Sequence, residues 1–257
     1  MHTKQSKILL TNDDGINAPG LAALHKQMKE IGEIFVVAPD SEKSAVGHAI
    51  TLSDPLRVWN FEKNGEFFGY AVNGTPVDCV KIAYWALLEQ APDLVISGIN
   101  LGSNTGINVI YSGTVSAATE GTILGIPSFA ISLTTYKNPD FTYAAKFARN
   151  LAQVILEKGL PKGTFLNVNI PPVKEQEIRG VVITRQGKAN YLEKFDKRAD
   201  PQDRVYYWLT GTKIELEEDS EVDDRAILEN KVSITPIHYD LTNYDVIDEL
   251  KSWDIQS

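Results

Sequence analysis

The sequence predicts an α/β fold built on a mainly parallel sheet. Short apolar runs, such as residues 8–11 and 34–38, have the character of strands that are buried on both faces. They alternate with stretches of helical periodicity, the first of which begins at Pro19. Strands that alternate with helices form right-handed βαβ units, so we expect helices to cover the sheet.

The other elements of the first 185 residues continue this alternation. The dipeptide Asn64-Gly65 is a strong hairpin signal between aromatic-rich arms. Thr75 and Pro76 are typical of a helix start, as N-cap and first-turn residue. Further strands are predicted over residues 94–97, 129–132, 165–170 and 181–184, and a long helix over residues 143–158.

The pattern changes after residue 186. Residues 186–203 are polar and lack clear periodicity, and we then expect a second hairpin, a late strand and a short terminal helix. The hairpin has predicted arms at residues 205–209 and 213–216 around a turn at 210–212, the strand covers 232–236 and the helix 244–253. Large apolar groups would lie on both faces of this hairpin, so burial against another subunit is favoured over packing within one subunit.

Composition excludes several classes of protein. The chain has 257 residues and a formal net charge of -9, which argues against a binder of duplex nucleic acid. The single cysteine, Cys79, rules out an internal disulfide and is typical of a reducing compartment. No signal peptide precedes the first strand and no membrane span is predicted, so we expect a cytoplasmic protein with no membrane partner.

Adjacent carboxylates follow the first predicted strand. Asn12, Asp13 and Asp14 lie just beyond its carboxyl end, where open α/β sheets bind ligands. Two neighbouring carboxylates repel each other unless a cation lies between them, which indicates a hard divalent metal. Asn100, after the third strand, offers a neutral oxygen to the same metal. The alternative is ordinary turn chemistry, because short polar side chains also hydrogen-bond nearby backbone.

Two glycine-rich segments follow strands at the same edge. Residues 97–106 contain glycines and small amides whose loop would let backbone N–H groups approach an anion, although they match neither the Walker nor the dinucleotide pattern. Ser112, Gly113 and Thr114 lie at the predicted start of a helix, which is an anion site unless they serve only as caps. Together these residues predict a metal-bound phosphate and a metal-activated water.

These motifs resemble those of the SurE family, the survival-protein E nucleotidases. The agreement in order and spacing runs from residue 8 to about 133, and the late strand is also similar. The motifs are Leu10-Thr11-Asn12-Asp13-Asp14-Gly15, Val37-Ala38-Pro39-Asp40, Gly74-Thr75-Pro76-Val77-Asp78-Cys79-Val80, Ser97-Gly98-Ile99-Asn100-Leu101-Gly102-Ser103-Asn104 and Tyr111-Ser112-Gly113-Thr114-Val115.

The resemblance implies a metal-dependent phosphatase that acts on nucleoside monophosphates. It implies one divalent ion per subunit, Mg or Mn, and assigns its ligands to Asp13, Asp14, Ser44 and Asn100, the two carboxylates being the catalytic residues. The substrate contacts are expected at Asn12, Gly102, Ser103, Asn104, Ser112, Gly113 and Thr114. One departure is Ala45, which stands where the family usually has glycine, so the conformation of that loop is open.

The predicted architecture is a Rossmann-like three-layer sandwich in one domain of residues 1–257. Residues 6–185 form its catalytic core, and residues 186–257 form an extension that the family exchanges between subunits of homodimers or homotetramers. The predicted reaction converts nucleoside 5′-monophosphates to nucleoside and phosphate, and 3′-monophosphates are an open alternative substrate. A broad acid phosphatase or exopolyphosphatase and a non-catalytic nucleotide sensor are the alternatives, and a proton-donor role for His48 is left open.

Overall fold

The computed structural model describes residues 5–214 and 217–255, without the side chains of residues 190 and 191. The strands are β1 (Lys7–Thr11), β2 (Glu33–Pro39), β3 (Val58–Lys63), β4 (Glu66–Val72), β5 (Leu94–Leu101), β6 (Ser128–Leu133), β7 (Thr164–Ile170), β8 (Val181–Ile183), β9 (Asn190–Ala199), β10 (Val205–Ile214) and β11 (Val232–His238). The α-helices are α1 (Pro19–Met28), α2 (Pro76–Ile82), α3 (Gly113–Ile123), α4 (Thr142–Lys158), α5 (Asp223–Leu228) and α6 (Ile247–Lys251).

Within the described residues, nine strands form one sheet in the order β3-β4-β2-β1-β5-β6-β7-β11-β8. The six neighbouring strands β4, β2, β1, β5, β6 and β7 run parallel to one another. At the two ends of this group, β3 pairs antiparallel with β4, and β11 pairs antiparallel with β7. This confirms the predicted mainly parallel sheet. Because β11 lies in the central sheet, the late strand is continuous with the layer formed by the earlier residues; the proposed division at residue 186 stays a prediction.

Helices cover both faces of the sheet, as the continuous apolar strands predict. Ile8 and Leu10 point into a core with residues of α1 and α4, while Leu9 points into a second core with residues of α2 and α3. All three side chains are fully buried. Truncating a buried leucine typically costs about 2–5 kcal/mol. Because successive side chains of β1 point to opposite faces, this strand packs against the helices on both sides of the sheet.

Local signals placed most element boundaries correctly. Asn64 and Gly65 both have positive φ and connect β3 to β4, as the hairpin signal predicts. Thr75 caps α2: its hydroxyl accepts the N–H of Asp78, and the Asp78 carboxylate accepts the N–H of Thr75. Such a reciprocal cap stabilises a helix start by roughly 1 kcal/mol.

The predicted arms of the second hairpin are wrong. Residues 210–212 continue β10 rather than turning, and β10 pairs antiparallel with β9 in a separate two-stranded sheet. The turn lies at residues 200–204, where the Asp200 carboxylate accepts the N–H groups of Gln202 and Arg204. Both faces of β9 are exposed, so no apolar alternation marked it as a strand. Glu215 and Leu216, assigned to the second arm, lie outside the described residues.

The terminal helix prediction is confirmed in shorter form. A 3₁₀ turn at Tyr244–Val246 leads into α6 at Ile247–Lys251. None of the helices in the described ranges has the length and apolar character that crossing a bilayer requires.

Candidate metal and phosphate site

The site forms where β1 and β5 end side by side. The parallel register pairs Thr11 with Ser97, so Asn12, Asp13 and Asp14 lie opposite the last residues of β5, which include Asn100. The chain leaves β1 through Gly15, whose φ of +95° is costly for other residues. The structure therefore brings the predicted carboxylates and the Asn100 amide to one sheet edge, as the fold class requires.

The Asp13 carboxylate is 4% exposed and faces the start of α3. It accepts hydrogen bonds from the Thr114 hydroxyl and the Thr114 backbone N–H. Burial raises the pKa of Asp13 above its ordinary value, although these hydrogen bonds act in the opposite direction. Asp13 thus combines a desolvated carboxylate with donors from the predicted anion site.

Asp14 is the more strongly perturbed carboxyl group. Burial, followed by repulsion from Asp13 and then from Glu42, raises its pKa to about 7, and an N–H of Leu101 opposes this shift. A divalent cation bound nearby would lower the pKa of both carboxyl groups and keep them ionised. Glu42 was not assigned to the site from the sequence. The one feature that could have indicated it is its position two residues before Ser44.

The second loop is fixed next to Asp13 by its backbone. The N–H of Lys43 donates to the Asp13 carbonyl oxygen over 2.7 Å, which holds the loop backbone beside Asp13, while the Ser44 side chain is exposed and its role as a metal ligand stays a prediction. The Ser44 hydroxyl donates to the Glu42 carboxylate over 2.6 Å. Ala45 adopts a φ of +57°, so the alanine keeps the left-handed conformation that a glycine would favour.

The loop after β5 uses many of its polar groups internally. The Asn100 amide nitrogen donates to the Gly102 carbonyl over 2.9 Å, so the amide oxygen is the end of this side chain that could bind a metal. The N–H of Gly102 donates to the Leu133 carbonyl over 2.9 Å. Ser103 is half-buried. Contact of Gly102 and Ser103 with the substrate stays a prediction.

Asn104 is held in a buried amide network beneath this loop. Its side-chain nitrogen donates to the Ser132 hydroxyl, and its N–H donates to the Asn169 side-chain oxygen, both over 2.9 Å. Its carbonyl oxygen accepts the side-chain nitrogens of Asn167 and Asn169. These contacts anchor the loop from below; direct phosphate binding by Asn104 stays a prediction.

The start of α3 has the geometry that the sequence predicts. Ser112 is the N-cap, and its hydroxyl accepts the Val115 N–H over 3.1 Å. Gly113 lies so close to Asp13 that an added Cβ would come within 2.8 Å of the Asp13 Cβ. The first turn of α3 and the carboxylate pair therefore form one site.

The donor set fits a hard divalent cation. The side-chain oxygen of Asn12 is buried and has no hydrogen-bond partner in the described part of the chain, while its nitrogen donates to the Gly15 carbonyl. Among residues 5–214 and 217–255, no three His, Cys, Asp or Glu side chains form a metal-binding group. Two carboxylates supplemented by neutral oxygens and water match Mg²⁺ better than a soft or tightly caged metal.

His48 lies beside α3 rather than among the carboxylates. Its Nε2 is 3.1 Å from the Thr119 hydroxyl. Burial lowers the pKa of His48, against opposing effects of the Ile110 backbone and the Glu120 carboxylate. The ring is therefore mainly neutral near pH 7, and its proton-donor role stays a prediction.

A cavity of about 1360 Å³ adjoins the site. It begins at Ala45 and Tyr111, which border the second loop and α3, and it extends to the β9–β10 hairpin at Leu209. Ile107 and Tyr111 present exposed apolar surface to it. The sequence predicted the site's polar edge but not this large neighbouring space, because the hairpin that closes it is distant in the chain.

The chain is similar to known proteins over most of its length. The family described as Survival protein SurE matches residues 8–193. A protein of Syntrophus aciditrophicus named 5′-nucleotidase SurE is 54% identical over 96% of this chain and 93% of the relative. One of the same name from Chlorobaculum tepidum is 49% identical over 100% of this chain and 98% of the relative.

A solved structure extends the likeness to three dimensions. The crystal structure of the SurE protein from Aquifex aeolicus has a TM-score of 0.84 and 43% sequence identity, and the match covers 95% of this chain and 98% of that one. Family match, relatives and structure each span most of the sequence. The chain belongs to the SurE family.

Proposed function

We propose that this protein is a divalent-metal-dependent 5′-nucleotidase that hydrolyses nucleoside 5′-monophosphates to nucleoside and phosphate. The observation that carries the proposal is the pair of desolvated carboxylates, Asp13 and Asp14, directly at the N-terminus of α3. The names of the relatives support the reaction class.

Asp13, Asp14, Ser44 and Asn100 would hold one Mg²⁺ or Mn²⁺ ion per subunit. When bound, the cation would activate water and neutralise charge on the phosphoryl oxygens. Thr114 keeps Asp13 oriented through its hydroxyl. The pKa of Asp14 is raised to about 7 in the absence of a cation, so binding of the cation would displace the Asp14 proton.

The phosphate would lie at the first turn of α3. The backbone N–H groups of Ser112 and Gly113 offer donors there, whereas the Thr114 N–H already binds Asp13, and the helix dipole favours a negative charge. The loop of Gly102, Ser103 and Asn104, together with Asn12, would border the phosphate from the sheet side. Two carboxylates alone would repel a phosphate, so anion binding depends on the cation.

The nucleoside would occupy the neighbouring cavity. Ile107, Tyr111 and Leu209 offer apolar surface for a base, and polar side chains line the remainder. The volume exceeds the roughly 300–1,000 Å³ typical of small-molecule sites, so it offers enough room for a nucleoside.

The proposal includes assembly. Apolar side chains on both faces of the β9–β10 hairpin are exposed, and burial against a second copy of the chain would cover them. A homodimer or homotetramer with exchanged segments from residues 186–257 satisfies this requirement.

A phosphate-release panel tests the function. We expect the protein to hydrolyse nucleoside 5′-monophosphates with Mg²⁺ or Mn²⁺. It should lose nearly all turnover in excess chelator and regain it when metal is returned. Parallel reactions with 3′-monophosphates, an aryl phosphate and polyphosphate separate the alternatives. Equal rates on the aryl phosphate would indicate a general phosphatase, and tight nucleotide binding without phosphate release would indicate a sensor. Full activity in chelator contradicts the metal mechanism.

A further inference from the structure

A buried acidic pair lies behind the cavity, outside the residues assigned to metal and phosphate. The Asp223 side chain begins α5 and is fully buried. One of its oxygens accepts the Gly106 N–H over 2.8 Å, and the other accepts the Gly187 N–H over 3.0 Å. This carboxylate therefore connects two loops that lie far apart in the sequence.

Asp224 adds an ion pair that is largely, but not fully, buried at the same point. Its Oδ1 accepts the Lys213 ammonium over 2.6 Å and the Thr105 hydroxyl over 2.7 Å. The two charged side chains are only 17% and 12% exposed. Asp224 Oδ2 is buried without a hydrogen-bond partner among the described residues, so the charge depends on Lys213 for compensation.

The segment held by these contacts leads directly into the phosphate site. A 3₁₀ turn at Gly106–Ile110 follows Thr105, and Tyr111 then precedes the N-cap Ser112. The Tyr111 carbonyl accepts the Gly47 N–H over 3.1 Å, which also connects this segment to the loop of Ser44. Displacement of the segment would shift both the start of α3 and the second loop.

Lys213 comes from β10 of the exposed hairpin. The ion pair therefore links the position of the hairpin to the site. A surface ion pair could not hold such a link, because solvent screens it and its net contribution is small. Loss of one partner of a buried pair leaves an uncompensated charge, so the local structure must rearrange.

We propose that Lys213 and Asp224, with Asp223, are positioning residues that fix the segment from Thr105 to Tyr111 and thereby align the phosphate-binding start of α3. The inference rests on the proposed phosphatase function. It assigns the ion pair a role in catalysis that operates through the backbone, without contact to the substrate.

Steady-state kinetics of Lys213→Met test the proposal. A misplacement of about 1 Å at a reacting group can cost about 100-fold. We expect kcat/KM to fall about 10- to 100-fold for a nucleoside 5′-monophosphate and an aryl phosphate alike, because both use the same phosphate site. Inhibition by inorganic phosphate should weaken in parallel. Lys213→Arg, which keeps the charge, should restore kcat/KM to within about threefold.

The matched control is Asp200→Asn, which breaks the ion pair with Arg204 at the exposed turn of the same hairpin. Its kinetics should equal those of the parent protein. If Lys213→Met does not fold, Asp224→Asn carries the same expectation, since it keeps an acceptor for Thr105 and removes the charge. A lowered melting temperature with unchanged kcat/KM and phosphate inhibition would show a purely structural pair and overturn the proposal.

Failure of the proposed function is distinguishable from failure of this inference. If the unmodified protein releases no phosphate from any substrate, calorimetric titration with inorganic phosphate in the presence of Mn²⁺ replaces the kinetic measurement. Weaker phosphate binding by Lys213→Met than by Asp200→Asn then supports the positioning role, and equal binding refutes it.

Discussion

The carboxyl end of β1 and the β9–β10 hairpin differ in the kind of side-chain group that has no partner. At β1, polar groups are buried: Asp13 is 4% exposed, and the Asn12 side-chain oxygen has no partner among the described residues. In the hairpin, large apolar groups are exposed, and Tyr207, Trp208 and Leu209 each show 58% of their surface. Adjacent strand residues point to opposite faces, so neither hairpin face is covered.

The difference identifies two kinds of partner. Buried oxygens and repelling carboxylates are stabilised by a cation and by donors, whereas exposed aromatic faces are stabilised by apolar surface. Small polar ligands would satisfy the first region, and the proposed second subunit would cover the second. Loss of assembly should leave metal binding at β1 intact as long as Lys213 still holds Asp224.

The largest expected effect comes from Asp14→Asn. The substitution keeps the shape of the side chain and removes one metal-binding charge, so kcat should fall at least about 10²- to 10³-fold. Phosphate release with saturating Mn²⁺ measures this, and circular dichroism should show an unchanged fold. Asp203→Asn, at the exposed hairpin turn, is the matched control. An Asp14→Asn variant with half the normal turnover would remove Asp14 from the mechanism.

Gly113→Ala should have the next largest effect. The new Cβ would come within 2.8 Å of the Asp13 Cβ, so helix and carboxylate must separate. We expect kcat/KM to fall about 10- to 100-fold. Thr114→Ala should be milder, because it removes the hydroxyl bond to Asp13 but keeps the backbone N–H; Thr114→Ser is its control. Normal kinetics for Gly113→Ala would place the anion site in another loop.

A pH effect on the metal-free protein should be smaller. The pKa of Asp14 is raised to about 7, so its contribution to folding stability is fully present below its unfolded pKa of about 3.9 and is lost as pH rises through 7. In chelator, the melting temperature should therefore fall between pH 5 and 8 more steeply for the parent protein than for Asp14→Asn. Added Mg²⁺ should reduce that difference. Parallel curves in chelator would contradict the assigned pKa.

The smallest expected effect on the metal site follows from changing the hairpin. Replacement of Tyr207 and Leu209 by serine should lower the assembly state while metal affinity stays within about twofold. Light scattering coupled to gel filtration measures the mass, and Mn²⁺ titration measures the site. Thr210→Ser on the same strand is the control. A monomeric mass for the unmodified protein at micromolar concentration would refute burial of the hairpin between subunits.

Sequence reasoning succeeded where the physical cause is local. Thr75 caps α2 and Ser112 caps α3 because each interaction spans only three residues. The carboxylates were located because a parallel sheet brings strand ends together. The contact between Asp13 and Thr114 was not anticipated, since it joins residues 101 positions apart. Asp223 binds Gly106 across 117 positions, and no local pattern indicates that bond.

β9 escaped prediction for a different reason. An alternation of apolar and polar residues marks a strand that is buried on one face. The described side chains of β9 are exposed on both faces, so this alternation is absent. The mistaken turn at residues 210–212 followed from reading small residues as a break, whereas Gly211 lies within the β10 ladder opposite Glu193. The strand pairing of a separate hairpin depends on the partner strand and on the surface that covers it. The local sequence indicates neither of these.

The burial of α3 has a consequence for motion over time. Its residues from Gly113 to Thr122 are buried, and Gly121 leaves no room for a Cβ, which would meet the Ser128 hydroxyl oxygen at 2.3 Å. Amide hydrogens in such a helix exchange with solvent through global unfolding, whereas those of a solvated hairpin exchange through brief local openings. The first turn of α3 is therefore expected to persist unchanged over many turnovers, while the hairpin of a subunit without its partner opens repeatedly within the lifetime of the same folded molecule.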